Sequence, residues 1–410
     1  MQSFQPDGAY SWLRLAISVT VGIIASVGMW AGILVLPQIQ AEFATGRGGA
    51  SLAYSSAMIG FAAGNLLLGR MVDRFGIAPV MAIAGISISA GFALGAMTHS
   101  IAAFSFLQML IGFATAAGFG PLMADISHCF VRRRGIAVAA AACGNYGAGA
   151  IWPLILKDVV ADDGWRAAFW LIAAIAAAAI LPLSAMLRRR PPGFVTAARR
   201  PEATSQPAPP LADAGLSPRA LQSLLLVAGF GCCMAMAMPQ VHLVAYCSDL
   251  GYGVTAGAQM LSMMLGAGVI SRLSFGFIAD YIGAVRALLI GSVAQCLALF
   301  LYLPFDGLMS LYVVSLIFGL AQGGIVPCYA MIVREYMPAQ EAGRRVGIVI
   351  TATVIGMAAG GWASGWIYDL TRSYQAAFVN GIAWNLLNIA VMIFLLTRTR
   401  RGTRPRLAMA

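Results

Sequence analysis

A chain of 410 residues that is 60% hydrophobic and only 10% charged, with a mean hydropathy of +0.82, falls outside the ordinary soluble domains. Its formal net charge of +11 would suit nucleic acid, but 21 of the 26 Lys and Arg residues lie in alternate loops and tails between apolar runs, the bias that orients membrane proteins. Seven cysteines without C-x-x-C spacing, and no His cluster, support neither a disulfide framework nor a metal site.

Twelve apolar runs of about the 20 residues that span a bilayer occupy 13–36, 51–69, 77–97, 101–123, 136–156, 167–187, 221–246, 256–279, 287–303, 310–333, 346–366 and 376–396. The first is too long for a cleavable signal peptide, and the same pattern continues after it. The expected fold is an all-α integral membrane protein with twelve transmembrane helices in two related six-helix bundles. Residues 1–187 form the first bundle, 188–220 a cytoplasmic linker, 221–397 the second bundle and 398–410 a basic cytoplasmic tail.

Taken in chain order, Asp7-Gly-Ala-Tyr-Ser-Trp12 precedes helix 1, which runs to Pro37-Gln38. Helix 2 ends in Gly69-Arg-Met-Val-Asp73-Arg-Phe-Gly76, and Pro121 lies in helix 4. Arg132-Arg-Arg-Gly135 precedes helix 5, which carries Cys143-Gly-Asn145-Tyr146 in a glycine-rich stretch, and Trp165-Arg-Ala-Ala-Phe169 enters helix 6. Segment 188–220 breaks the rhythm with Arg188-Arg-Arg-Pro-Pro-Gly and five further prolines, a composition that cannot bury a core.

The second half answers the first. His242 follows Pro239 in helix 7, Arg272 interrupts helix 8, and Gly276-Phe-Ile-Ala-Asp280-Tyr-Ile-Gly283 closes it, 207 residues after the first copy of that motif. Gln322 and Pro327 lie in helix 10, Arg344-Arg-Val-Gly347 precedes helix 11 as Arg132-Arg-Arg-Gly135 precedes helix 5, Thr353 lies in helix 11, and Tyr374-Gln-Ala-Ala-Phe378 enters helix 12. Doubled membrane halves with a site between them are how alternating-access carriers are built.

Arg272 is the principal candidate. A charge in hydrocarbon costs at least about 2.5–3.5 kcal/mol on insertion scales, so it faces a cavity or a partner. It lies about 12 Å along the helix from Asp280, too deep to snorkel easily. All fifteen acids fall in loops or near helix ends, so no internal carboxylate is expected to pair with it. A guanidinium facing a cavity invites an anion, and its planar fork fits a carboxylate; the alternative is hydrogen bonding to helix carbonyls. Asn145, Tyr146, Gln322, Gln38 and Thr353 are expected to line the path or to bond between helices. His242 is expected to carry a proton, to bind substrate or simply to pack. Asp73 with Arg70 and Arg74, and Asp280 in the second copy, are expected to gate one conformation.

With the N-terminus inside, the 21 basic residues are cytoplasmic; Arg47, Lys157, Arg166 and Arg372 lie outside. Both termini are then cytoplasmic. Twenty-five Arg against one Lys points to a GC-rich bacterial genome and hence an inner membrane. No Walker-type motif, Ser-His-Asp set or paired buried carboxylates occur, so neither an enzyme nor direct ATP drive is expected, and no cofactor.

These features resemble the major facilitator superfamily, and within it the monocarboxylate porters and the oxalate/formate exchangers. The glycine motif, the entry motif before helix 1, the helix 5 signature and the helix 8 arginine eight residues before Asp280 carry the likeness. The resemblance implies that Arg272 binds a substrate carboxylate. It also exposes departures: the porters' helix 1 lysine is Gln38, their helix 8 acid is Gly268, and the exchangers' second cation in helix 11 is Thr353. One deep cation favours a monocarboxylate. The expected function is alternating-access transport of small organic monocarboxylates by proton symport or anion exchange, in a monomer that needs only substrate, a proton or counter-anion, and lipid. Efflux of amphipathic drugs and a non-transporting membrane sensor are the alternatives.

Overall fold

The computed structural model describes residues 6–189 and 216–402; most of the expected linker, and the tail beyond Gly402, lie outside the described residues. Among them are twelve helices long and apolar enough to cross a membrane. In the first half these are α1 (Ala9–Leu34), α2 (Arg47–Phe75), α3 (Ile77–Ala96), α4 (Ile101–Cys129), α5 (Gly135–Asp162) and α6 (Gly164–Met186). In the second they are α7 (Pro218–Asp249), α8 (Gly253–Ile282), α9 (Ala284–Leu301), α10 (Leu308–Tyr336), α11 (Glu341–Thr371) and α12 (Tyr374–Arg398). The end of the bundle on which α1 begins is called the terminal face, and the opposite end the distal face.

Both copies of the glycine motif end their helices the same way. Gly76 (φ +89°, ψ 168°) and Gly283 (φ +87°, ψ 150°) terminate α2 and α8 in a backbone region that only glycine enters without strain. The first glycine of each copy, Gly69 or Gly276, has nothing within 4 Å of where a Cβ would stand. Gly76→Ala is therefore expected to cost about 1–3 kcal/mol and Gly69→Ala almost nothing. Detergent-solubilised melting curves check this; equal melting temperatures would refute it.

Three helices are interrupted. Helix α1 breaks at Ser26, α4 tightens into a 3₁₀ turn at Ala116–Gly118, and α10 breaks at Gly323 and Gly324. Ala116 and Gly323 are 207 residues apart, so the duplication extends to the breaks. Interrupted helices are tolerated at membrane depth only where protein or a cavity takes up the freed backbone groups.

Two charges sit differently from expectation. Arg14 is one of the basic residues expected in the cytoplasm and Asp125 one of the acids expected near a helix end, yet both are buried, and their guanidinium and carboxylate form a two-pronged pair at 2.8 and 2.9 Å between α1 and α4. The helix simply continues past the apolar run, because Arg14 satisfies the acid. Arg14 also donates to Leu187 O at 3.1 Å and Arg189 O at 2.7 Å, so one side chain ties the end of α6 to α1 and α4. Breaking such a pair from one side typically costs about 3–5 kcal/mol. Asp7 of the entry motif accepts the backbone N–H groups of Arg132 and Val131, both at 3.1 Å, and these amides, Arg132 foremost, hold its carboxyl below the usual range.

One apolar cluster fills the first half and reaches across to Val241 and Val244 of α7 and Leu261 and Leu265 of α8; a second lies within the last six helices. The halves meet chiefly along α2 with α11 and α5 with α8. Glycines make this possible because the hydrophobic effect no longer drives association in lipid. On α11, a Cβ at Gly356 or Gly360 would lie 2.5 Å from a carbonyl of α7, while one at Gly361 or Gly365 would press on Tyr54 at 2.8 Å or Arg47 O at 2.8 Å of α2. One helix thus packs closely on its own half and on the other.

Candidate substrate site

Arg272 stands midway along α8, where α5, α8 and α10 converge, and is half-buried. Its Nε donates to Gly323 O at 3.3 Å, a carbonyl at the α10 break, and its Nη1 donates to Ala142 O of α5 at 2.9 Å. The guanidinium carbon lies 4.2 Å from the centre of the Tyr146 ring. Nη2 makes no hydrogen bond to the described residues. Two nitrogens thus follow the carbonyl-bonding alternative, while the third remains free to bind. No carboxylate pairs with Arg272 among the described residues.

Tyr146 explains one departure from the porter pattern. A Cβ at Gly268 would lie 2.5 Å from its ring, so the aromatic occupies the space into which a side chain at 268 would project. Around it, Tyr54 (α2), Asn145 (α5), Gln240 (α7) and Gln322 (α10) are all buried. Gln240 donates to the Gln322 carbonyl at 2.7 Å, which leaves Gln240 Oε1 and Gln322 Nε2 without partners. Asn145 Oδ1 and the Tyr54 hydroxyl are likewise unpartnered, and Asn145 Nδ2 reaches only the weak acceptor Met29 Sδ at 3.0 Å. Buried polar groups are normally satisfied, so a concentration of unsatisfied ones marks a place built for something else to bond. Tyr54 and Gln240 were missed by sequence reading, since one polar atom in an apolar run does not announce which way it faces.

The other expected residues are engaged in bonds of their own or lie elsewhere. Gln38 is on a short distal helix, Leu36–Glu42, where it donates to Val160 O at 2.7 Å. Val160 is about 27 Å along α5 from Ala142, so Gln38 is not brought to Arg272. Thr353 turns its hydroxyl back to Ile350 O at 2.7 Å. His242 is fully buried on the distal side, with Nε2–H donating to Gly361 O at 2.8 Å and Nδ1 unpartnered. Arg70, Asp73, Arg74 and Asp280 are exposed at the terminal face and form no ion pair among the described residues.

A charge cluster that the sequence did not reveal closes the distal face between the halves. Arg47 of α2 is buried, and its Nη2 donates to both carboxylate oxygens of Asp249 of α7, at 2.8 Å each. It also donates to the Tyr374 hydroxyl and stacks on the Tyr368 ring at 4.9 Å. Asp369 of α11 accepts the backbone N–H of Arg47 at 2.7 Å and of Gly48 at 2.8 Å, capping α2. The halves are therefore tied together at the distal face.

The profile of the Major Facilitator Superfamily matches residues 19–344 and 260–409, covering nearly the whole chain. The chain belongs to the Major Facilitator Superfamily. It is a multi-pass membrane transporter. Over 397 residues it is 25% identical to "Monocarboxylate transporter 11" of Mus musculus, covering 91% of this chain and 85% of the relative. Over 290 residues it is 25% identical to "Agnestins efflux protein AgnL12" of Paecilomyces divaricatus, covering 69% and 63%. Among solved structures it resembles the nucleoside transporter NupG with a TM-score of 0.75 at 14% identity, covering 93% of this chain and 99% of that one, a likeness of fold.

Proposed function

We propose that this superfamily member carries small organic monocarboxylates by alternating access, with Arg272 holding the carboxylate. The observation that carries this reading is a guanidinium halfway along a membrane helix, at the seam of the halves, with Nη2 free and no acid beside it among the described residues. Tyr146 backs the arginine, and Asn145, Gln322, Gln240 and Tyr54 offer neutral hydrogen bonds to the rest of the substrate. The similarity to a monocarboxylate transporter supports the same class.

Exchange is favoured over proton symport. Tyr146 takes the place into which a side chain at Gly268 would extend, and His242 bonds Gly361 on the distal side, so no carboxylate or imidazole accompanies Arg272. In this reading the basic terminal face lies in the cytoplasm of an inner membrane, and Arg47 with Asp249 forms the outer gate. Asp73, Arg70, Arg74 and Asp280 are then free to form the inner gate when the terminal face closes.

Counterflow in proteoliposomes tests the reading. Internal unlabelled acid is expected to accelerate uptake of the same labelled acid, without any requirement for a pH gradient. Acceleration by neutral or cationic amphiphiles, with no response to acids, would instead establish a drug-efflux carrier.

A further inference from the structure

Helices α2 and α11 close tightly on the distal side, where Ser55 donates to Ala358 O at 2.6 Å. Toward the terminal face a cavity of ≈ 490 Å³ lies along α11, with Leu66 of α2 and Leu226 of α7 on its other walls. Its walls include Leu66, Leu226, Ile348, Ala352 and Ile355. Thr351 adds no free donor, because its hydroxyl is turned back to Gly347 O at 2.8 Å. Leu66 is 52% exposed, Ile348 41% and Ile355 48%, so the rim of the cleft is apolar and accessible. The one charged residue on the lining is Arg344, exposed at the end of α11 and without a hydrogen bond or ion pair among the described residues. Its neighbour Arg345 is instead engaged by Glu341 and Gln222.

An apolar slot with a single cation at its membrane-surface end matches an amphiphile with an acyl chain and an anionic head. The volume is within the about 300–1,000 Å³ typical of small-molecule sites. Basic pockets between membrane helices recognise anionic head groups, and a guanidinium grips a phosphate through paired hydrogen bonds. We propose that this cleft binds an anionic phospholipid, with an acyl chain along Leu66, Ile348 and Ile355 and the phosphate on Arg344. The bilayer around the protein supplies this ligand directly. The proposal makes no use of Arg272 or of the transported substrate.

Native mass spectrometry of the full chain in detergent, titrated with phosphatidylglycerol, phosphatidylcholine of the same acyl chains, or oleate, tests it. Wild type is expected to retain phosphatidylglycerol about tenfold more tightly than Arg344→Gln, since a hydrogen bond to a charged group contributes about 1.5–3 kcal/mol. Arg286→Gln, which removes another exposed arginine outside the cleft, should behave as wild type. Ile348→Trp narrows the slot without touching the charge and should also weaken retention. Equal retention by Arg344→Gln and wild type, or no preference over phosphatidylcholine, overturns the proposal. Arg344-dependent binding of oleate but not of phosphatidylglycerol would assign the cleft to a free acid and overturn it as well.

Discussion

Replacement of Arg272 by glutamine is expected to abolish stabilisation by the transported acid while leaving the unliganded protein at least as stable as wild type. The two halves of this expectation have different physical origins. A carboxylate held by a guanidinium gains about 1.5–3 kcal/mol per hydrogen bond, so losing the contact that the free Nη2 offers should weaken binding at least about tenfold. The unliganded protein, by contrast, loses only the bonds to Gly323 O and Ala142 O and the stacking on Tyr146. It is also relieved of a membrane-depth charge whose insertion costs at least about 2.5–3.5 kcal/mol. Melting temperature measured against a panel of small acids separates the roles, because a ligand raises it with the logarithm of concentration over Kd. A variant that melts well below wild type yet still responds to the acid would make Arg272 a brace between α5, α8 and α10, and the carboxylate assignment would fall.

Asp249→Asn is expected to open the distal face. The substitution leaves the buried Arg47 guanidinium facing a neutral amide, and uncompensated buried charges cost about 3–5 kcal/mol. That cost is borne by the distally closed arrangement, where Arg47, Asp249, Tyr368 and Tyr374 are together. Since every 1.4 kcal/mol shifts an equilibrium tenfold, the ratio of closed to open should fall by at least about 100-fold. Ser55→Cys places a thiol on the α2–α11 seam, buried in this arrangement. Its labelling by a membrane-impermeant maleimide should accelerate by a similar factor when Asp249→Asn is added. Arg47→Lys keeps the charge but loses the planar fork, so it should fall between the two. An unchanged labelling rate in Asp249→Asn would show that the cluster only decorates a seam held by the glycine contacts.

Much of this protein is legible along the chain because the bilayer imposes local rules. Apolar length predicts the twelve helices, although Asp125 shows where that rule stops: a helix with a buried ion-pair partner runs on past its apolar stretch. The two copies of the glycine motif are legible for a similar reason, since a helix that must stop in the backbone conformation of Gly76 and Gly283 needs glycine at that one position. Arg272 stands out because a charge in hydrocarbon is expensive wherever its partner lies.

Legible along the chain, then, are the class of molecule, its duplication and the membrane-depth charge of Arg272 on which the proposed binding rests. Tertiary structure alone decided what surrounds that residue and which end is shut. Tyr146 fills the space beside Gly268, Gln240 meets Gln322 across 82 residues, and Arg47 meets Asp249 across 202. Gln38, attractive by its position after Pro37, is carried to the distal end. The physical reason is one of direction. Hydropathy and capping act within a few residues of the chain, whereas the rotation of each helix about its axis is set by packing between small residues that lie far apart in sequence.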